Sequence, residues 1–271
     1  MVVLTGHIPG LLLCSISFLI GFFVLTISQI IRKENVFSYW KQPITNYLFV
    51  TAGVGLYTTL IYVSFKIIPP IEANTLNYLW PIFLVLLAEI FHKKSLNLNK
   101  ILGIFLGFLG VLLMFMPRGS ESFFTNISLG HVMALSASII WAVYSTLARK
   151  KHYPMGIMAP MYLFSSIVCL VLHMFFEKTV WPEGTIEWFA VILVGIARIS
   201  YTFWDYGMKE GNVTFLASAS YFIPVFSTIF LIAIGIKPED TLVGWSVALV
   251  LLGCLLVNAN QIYWLYKNKS S

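Results

Sequence analysis

The charged residues with the clearest chemical potential lie inside apolar stretches. Arg198 and Asp205 are seven residues apart in the apolar run 187–208, so a helix places them on one face, about 10 Å apart along its axis. At that spacing they can face one polar cavity but form no direct ion pair unless Arg198 extends. This arrangement suits an anion-binding or proton-carrying site. The alternative is structural, with pairing to another helix or a side chain that reaches the surface.

Glu72 is a third candidate for this anion or coupling site, because it opens the apolar run 71–91. A carboxylate in the first turn of a helix also interacts favourably with the helix dipole, so Glu72 has a structural explanation as well.

Aromatic residues make up 16% of the chain, and several lie in the middle of apolar runs rather than at their ends. Buried tyrosine and tryptophan need partners for their polar tips, which is consistent with a cavity for aromatic or amphipathic solutes, and ordinary helix packing is the alternative explanation for about half of them. Two pairs share a helix face at a spacing of three residues, namely Trp141 with Tyr144 and Tyr201 with Trp204. The mid-run set is Tyr57, Tyr78, Trp80, Trp141, Tyr144, Tyr201, Trp204 and Tyr221.

Two prolines follow a tyrosine by three residues, Pro81 after Tyr78 and Pro224 after Tyr221. A proline inside a helix frees a backbone carbonyl and bends the helix. We therefore predict hinges at Pro81 and Pro224, the alternative being that they only shape packing.

Motifs for catalysis are missing from the sequence. The five histidines show no metal-binding spacing, and no phosphate-binding glycine loop occurs. Cys14, Cys169 and Cys254 each lie in a separate apolar run, which is typical of free buried thiols. We therefore expect no enzyme, no metal and no cofactor.

The elements that carry these residues are membrane-spanning helices. Of 271 residues 59% are hydrophobic and 10% charged, and the mean hydropathy is +0.86. This composition excludes a soluble domain, a disordered chain and a nucleic-acid-binding face. Glycines at 103, 107 and 110 predict a close helix contact. The apolar runs predict nine helices, at 7–31, 44–67, 71–91, 101–117, 129–149, 155–176, 187–208, 213–236 and 242–264.

Positive charge predicts the orientation of these helices. Twelve lysines and arginines lie in one set of alternate connections and the C-terminal tail, against four in the other set. Because the positive side is retained in the cytoplasm, the C-terminus is predicted to be cytoplasmic and the N-terminus external.

An internal repeat relates the two halves of the chain at an offset of 143 residues. The offset pairs Lys66 with Lys209, the segment 77–83 with 220–226, and Gly110 with Gly253. The matched helices are separated by an odd number of helices, which predicts opposite orientations in the membrane. The repeat unit has five helices, and we expect residues 1–117 to hold only the last four of the first copy. Residues 118–128 connect it to the complete second copy in 129–271.

Four segments of the chain resemble those of a known protein family. They are Asn77-Tyr78-Leu79-Trp80-Pro81, Trp204-Asp205-Tyr206-Gly207, Gly211-Asn212-Val213-Thr214 and Ser220-Tyr221-Phe222-Ile223-Pro224-Val225. With them the chain resembles the drug/metabolite transporter superfamily, EamA type, and most of all its bacterial aromatic amino acid exporters. The resemblance implies ten helices in two inverted five-helix repeats, in the inner membrane. It also implies a central cavity for aromatic or other neutral amino acids, and it adds Asn77 and Tyr162 to the aromatic residues expected to bind substrate.

Together these observations predict an all-α membrane protein that acts as a secondary transporter, a monomer whose partners are a small-molecule substrate and the lipid bilayer. Arg198 departs from the family pattern and would shift substrate choice toward anions. Two alternatives stay open: a polytopic membrane enzyme with an interfacial site near Asp205, and a non-transporting relative that acts as a partner subunit.

Overall fold

The chain is helical wherever the structure describes it. The computed structural model describes residue 5 and residues 7–92, 97–115, 127–223, 225–226 and 242–269, and the regular elements of these residues are all helices. The first helices are α1 (Gly10–Ile31), α2 (Val36–Tyr39), α3 (Ile44–Val50), α4 (Tyr57–Ile67), α5 (Pro70–Asn77), α6 (Trp80–His92) and α7 (Leu98–Phe115). They are followed by α8 (Leu129–Ala148), α9 (Met158–Phe176), α10 (Gly184–Ala197), α11 (Ile199–Glu210), α12 (Val213–Ala219) and α13 (Leu242–Lys269). A π-helical segment, Thr51–Leu56, joins α3 to α4, and a 3-10 turn, Met155–Ile157, leads into α9.

Six stretches of the described residues are long and apolar enough to cross a membrane. They are Gly10–Ile31, Ile44–Ile67, Glu72–Phe91, Leu129–Ala148, Met155–Phe176 and Gly184–Glu210, and Leu98–Leu113 and Gly244–Ala259 are shorter apolar helices. These bounds lie within a few residues of the predicted runs. The predicted run 213–236 is described only as far as residue 226, apart from Pro224.

Two of the predicted runs are interrupted. In the first, α5 ends at Asn77 and α6 begins at Trp80. Pro81 is then the second residue of α6, where a missing N–H removes no hydrogen bond, so the predicted kink is a break between two helices. In the second, α10 ends at Ala197 and α11 begins at Ile199, which leaves Arg198 between them. No proline or glycine occupies positions 197–199, so the sequence carries no sign of this second break.

The chain divides into two compact units. The first unit comprises residues 1–77 and 126–210, and the second comprises residues 78–125 and 211–271. Each unit draws on both halves of the predicted repeat, so this division leaves the repeat boundaries as a prediction.

In the first unit, α1 packs against α9 and α10, while α4 and α5 pack against α8. Small side chains allow these approaches: Ala134 and Ala137 of α8 meet Ile61 of α4 and Ala73 of α5 in one buried core. Buried contacts of this kind hold together helices whose outer faces are apolar, as expected for helices that face lipid.

In the second unit, α7 and α13 meet backbone to backbone. A Cβ at Gly103 would lie 2.6 Å from the carbonyl oxygen of Gly253, and one at Gly110 would lie 2.7 Å from that of Ser246. Only glycine permits this approach, which confirms the close helix contact predicted from the glycine spacing.

Candidate functional site

Four aromatic side chains of the first unit pack around Trp141. The Tyr57 ring stacks on the Trp141 indole, with ring centroids 4.7 Å apart and planes 29° apart. The rings of Tyr201, Tyr144 and Trp204 have centroids 5.3, 5.6 and 5.9 Å from the same indole. Stacked and tilted ring pairs attract one another beyond the area that they bury, so these five residues, called here the aromatic cluster, form a tightly packed group in which Trp141 and Tyr144 are buried. The sequence predicted all five as site residues, and the structure brings them together.

Polar groups form hydrogen bonds with side chains at the edge of the aromatic cluster, called here its polar rim. The Trp204 indole N–H donates to the Ser145 hydroxyl at 2.9 Å, and the Asn77 amide donates to the Tyr57 hydroxyl at 3.4 Å. The Asn77 carbonyl oxygen Oδ1 is buried and accepts no hydrogen bond from the described residues. Asn77 therefore belongs with the cluster, as predicted, and offers an acceptor at its edge.

The helix that carries Tyr57 departs from α-helical geometry just before that residue. The π-helical segment Thr51–Leu56 ends where α4 begins at Tyr57. Inserted π-turns are rare and occur often at functional sites, because they shift the side chains that follow around the helix. This insertion sets the register that presents the Tyr57 ring to Trp141.

Asp205 lies next to the aromatic cluster in a buried polar network. Its side chain is fully buried, and Oδ1 accepts hydrogen bonds from the hydroxyls of Tyr144 at 2.8 Å and Tyr153 at 2.7 Å. Lys209, one helical turn away, places Nζ 2.9 Å from Oδ2. Burial, reinforced by the Asp205 carboxylate, raises the pKa of Tyr153 well above its usual range, so this hydroxyl stays a donor at neutral pH.

Arg198 has a different set of partners, although it lies on the same predicted run as Asp205. Its guanidinium donates to the hydroxyls of Ser17 at 2.6 Å, Thr58 at 3.3 Å and Tyr201 at 3.4 Å. Its carbonyl oxygen accepts from the Tyr162 hydroxyl at 2.6 Å and from the backbone N–H of Tyr201 at 3.1 Å. Arg198 and Asp205 therefore share no hydrogen-bond partner among the described residues, and the polar cavity predicted to hold both charges stays a prediction.

Glu72, the third predicted charge, pairs with a histidine that sequence reasoning passed over. Its Oε2 lies 2.6 Å from Nε2 of His131, and Nδ1 of the same ring lies 3.0 Å from the Ser128 amide. His131 thus closes the first turn of α8 while holding Glu72 in the first turn of α5. The one feature of the sequence that could have indicated this pair is that Glu72 and His131 both lie in the first turns of apolar runs.

Two further histidine–glutamate pairs lie at the same end of the first unit. His7 contacts Glu187 at 3.1 Å, and His173 contacts Glu177 at 2.8 Å. Both carboxylate oxygens of Glu177 also accept from the backbone N–H of Leu11 at the start of α1, Oε1 at 3.0 Å and Oε2 at 3.1 Å. Carboxylates at helix N-termini accept hydrogen bonds from backbone N–H groups and interact favourably with the helix dipole. Charged side chains therefore stabilise the packing at this end of the unit.

The remaining predicted residues lie apart from the aromatic cluster or in the second unit. Tyr162 is fully buried and packs on Phe18, with ring centroids 5.5 Å apart. In the second unit, Tyr221 is buried in a core of valines against which Tyr78 packs, and Trp80 is also buried. Pro81 lies at the start of α6, and Pro224 lies outside the described residues.

The amino-acid sequence matches the EamA-like transporter family over residues 1–116 and 128–259. That is most of the chain. This protein belongs to the EamA-like transporter family.

Individual relatives are similar over three quarters of the chain or more. The aromatic amino acid exporter YddG of Ancylobacter novellus is 30% identical over 253 residues, which cover 92% of this chain and 88% of that protein. The Escherichia coli protein of the same name is 27% identical over 75% of this chain and 76% of its own length. An uncharacterized transporter of Bacillus subtilis, YyaM, is 25% identical over 86% of this chain and 77% of its own length.

A crystal structure of a related chain has the same fold. It superposes with a TM-score of 0.84 at 28% identity, over 94% of this chain and 89% of the other. EamA membership and six long apolar helices make this chain a multi-pass membrane transporter for a small molecule. The named relatives are transporters or exporters, which supports the expectation that the chain is not an enzyme.

Proposed function

We propose that this EamA-family chain exports aromatic or other neutral amino acids across the inner membrane, and that the aromatic cluster contacts the substrate side chain. The stacked pair Tyr57–Trp141 carries this proposal, because a stacked pair with partly exposed neighbours can accept a further planar ring. The names of the relatives in Ancylobacter novellus and Escherichia coli point to the same substrate class.

The polar rim complements such a substrate. An amino acid carries an ammonium group beside its side chain, and the free Oδ1 of Asn77 is an acceptor for that group at the edge of the cluster. An apolar surface with a few placed polar groups is the usual make-up of a small-molecule site.

The proposed mechanism is alternating access by two inverted repeats, residues 1–117 and 129–271, with Pro81 and Pro224 as the paired hinges. Support comes from the 143-residue offset and from the interruption of the helix at Pro81. The proposed orientation leaves the C-terminal tail in the cytoplasm, which a C-terminal reporter active only in the cytoplasm would test.

The interfacial enzyme is the weaker alternative. Asp205 is fully buried and is contacted by Tyr144, Tyr153 and Lys209, so its carboxylate stabilises the packing of the unit and is not exposed to a substrate at the membrane surface.

Transport assays test the proposal directly. Purified protein in liposomes loaded with radiolabelled Phe, Tyr, Trp, Thr or Met should release at least one of them faster than protein-free liposomes. Trp141→Ala should lower flux of the aromatic substrates about tenfold or more, since it removes the central ring of the cluster. Trp181→Ala, at an exposed indole of the same unit, is the matched control. No flux of any of the five amino acids would reject the substrate class.

A further inference from the structure

Arg198 is a buried cation for which the described residues supply no carboxylate. Its side chain is 2% exposed near the middle of the apolar stretch Gly184–Glu210, and none of the ion pairs among the described residues includes it. A buried arginine normally pairs with an acid, because an uncompensated charge in a low-dielectric region is costly. Here all three side-chain acceptors, on Ser17, Thr58 and Tyr201, are neutral hydroxyls.

The guanidinium retains donors for an additional partner. Of its five N–H groups, two on Nη1 reach Thr58 and Tyr201, and one on Nη2 reaches Ser17. Nε is buried and has no hydrogen-bond partner in the described part of the chain. One N–H on Nε and one on Nη2 are therefore left, and a guanidinium offers paired donors of this kind to the two oxygens of a carboxylate.

A cavity adjoins this group. It measures about 240 Å³ and is lined by Arg198 together with Tyr62, Val194, Ala197, Ser200 and Tyr201. None of the residues that line it is acidic, so an anion that enters meets one positive charge and no negative one. Its volume corresponds to roughly eight water molecules, which is room for a carboxylate and the carbon atoms next to it.

Aromatic faces hold the cation in position without neutralising it. The guanidinium carbon lies 4.4 Å from the ring centroid of Phe18, 5.1 Å from that of Tyr62 and 5.8 Å from that of Tyr201. Such contacts offset part of the cost of burial but leave the net charge at +1. Tyr201 is shared with the aromatic cluster, so the cation and the ring-binding surface adjoin within the first unit.

We propose that Arg198 binds the carboxylate of the transported substrate in this cavity, through the donors left on Nε and Nη2. The identity of the carboxylate as that of an amino acid rests on the proposed function. Arginine suits the role better than lysine, because its planar donors match two carboxylate oxygens at once.

Ligand binding to the purified wild-type protein in detergent provides the primary test. The probes are 3-phenylpropionate, its uncharged amide 3-phenylpropanamide, and phenethylamine, and binding is measured by calorimetry. We expect 3-phenylpropionate to bind at least tenfold more tightly than either of the others, because only it carries the anion. Equal affinity for the acid and the amide, or no binding of the acid, overturns the proposal. This test needs no substituted protein.

Variants then assign the effect to Arg198. Arg198→Gln should abolish the preference for the acid, and Arg198→Lys should restore part of it, since lysine keeps the charge and loses the paired geometry. Ser200→Leu fills the cavity while leaving the hydroxyl partners of Arg198 intact, so it should weaken acid binding even if Arg198→Gln does not fold. Arg149→Gln, at an exposed arginine, is the charge-matched control and should bind as wild type.

The two proposals fail separately. Transport of phenylalanine with no preference for the acid over the amide leaves the export function standing and overturns the role of Arg198. Tight, Arg198-dependent binding of the acid without amino acid transport supports the anion site and rejects the substrate class. Acid binding that is unchanged in Arg198→Gln and in Ser200→Leu makes Arg198 a structural cation.

Discussion

Gly53 lies directly against the ring of Tyr144, so closely that a Cβ at position 53 would overlap the ring atoms. Gly53 belongs to the π-helical segment, and Tyr144 belongs both to the aromatic cluster and to the network around Asp205. Because Gly53 has no side chain, the ring of Tyr144 fits against it and contacts both the aromatic cluster and Asp205.

We therefore expect Gly53→Ala to displace Tyr144, with loss of both transport and stability. The added methyl meets a ring that the Asp205 hydrogen bond and the Trp141 contact hold in place, so overpacking should cost about 1–3 kcal/mol. Thermal unfolding in detergent and phenylalanine flux measure the effect. Gly244→Ala is the control, since no atom of the described residues lies within 4 Å of a Cβ there. Wild-type stability and wild-type flux in Gly53→Ala would contradict the close packing of the Tyr144 ring against position 53.

The hydroxyl of Tyr57 offers a second prediction. Tyr57→Phe keeps the ring on Trp141 but removes the atom that accepts from Asn77. We expect it to raise the KM for aromatic substrates about two- to tenfold with little change in stability, because one neutral hydrogen bond contributes about 0.5–1.5 kcal/mol. Asn77→Ala should act similarly.

Tyr206→Phe is the control for this substitution, because Tyr206 is an exposed tyrosine of the same unit. An effect of Tyr206→Phe as large as that of Tyr57→Phe would mean that any lost hydroxyl disturbs transport, and the polar rim would have no special role.

Asp205 and Lys209 form a buried ion pair, so the double variant should be more stable than either single one. Asp205→Asn leaves the Lys209 ammonium without its acid, and Lys209→Met leaves a fully buried carboxylate without its cation. Breaking a buried pair from one side costs about 3–5 kcal/mol, whereas removing both charges costs far less. Unfolding of the two single variants and the double variant gives the coupling energy. Additive losses would show that the pair does not stabilise the unit.

Glu177 should stabilise the start of α1 through charge. Its carboxylate accepts from the backbone N–H groups of Leu11 and Leu12 and contacts His173. Glu177→Gln removes the charge, and we expect a loss of about 1 kcal/mol, or a fall of about 2–4 °C in Tm. Glu183→Gln changes an exposed acid at the same end of the unit and should leave Tm unchanged. Equal shifts in the two variants would point to net charge as the cause.

The sequence alone determined the features that depend on local pattern. Apolar runs predicted the bounds of helices such as Leu129–Ala148 and Met155–Phe176, because membrane spans must be continuous and apolar whatever they contact. A spacing of three residues placed Trp141 beside Tyr144, since helical geometry is the same everywhere. The segments at 77–81, 204–207, 211–214 and 220–225 carried the EamA resemblance that the family match bears out.

Only the tertiary structure decided the partners of each polar group. Ser17 reaches Arg198 across 181 positions of the sequence, and Leu11 meets Glu177 across 166. The break at Arg198 has no proline or glycine to mark it, and the Arg198 carbonyl oxygen accepts from the Tyr162 hydroxyl, 36 positions away in the sequence. A charge in an apolar run must find a partner, but many groups on other helices would satisfy it energetically. Which one does so depends on how the helices pack, and that follows from contacts that no local pattern records.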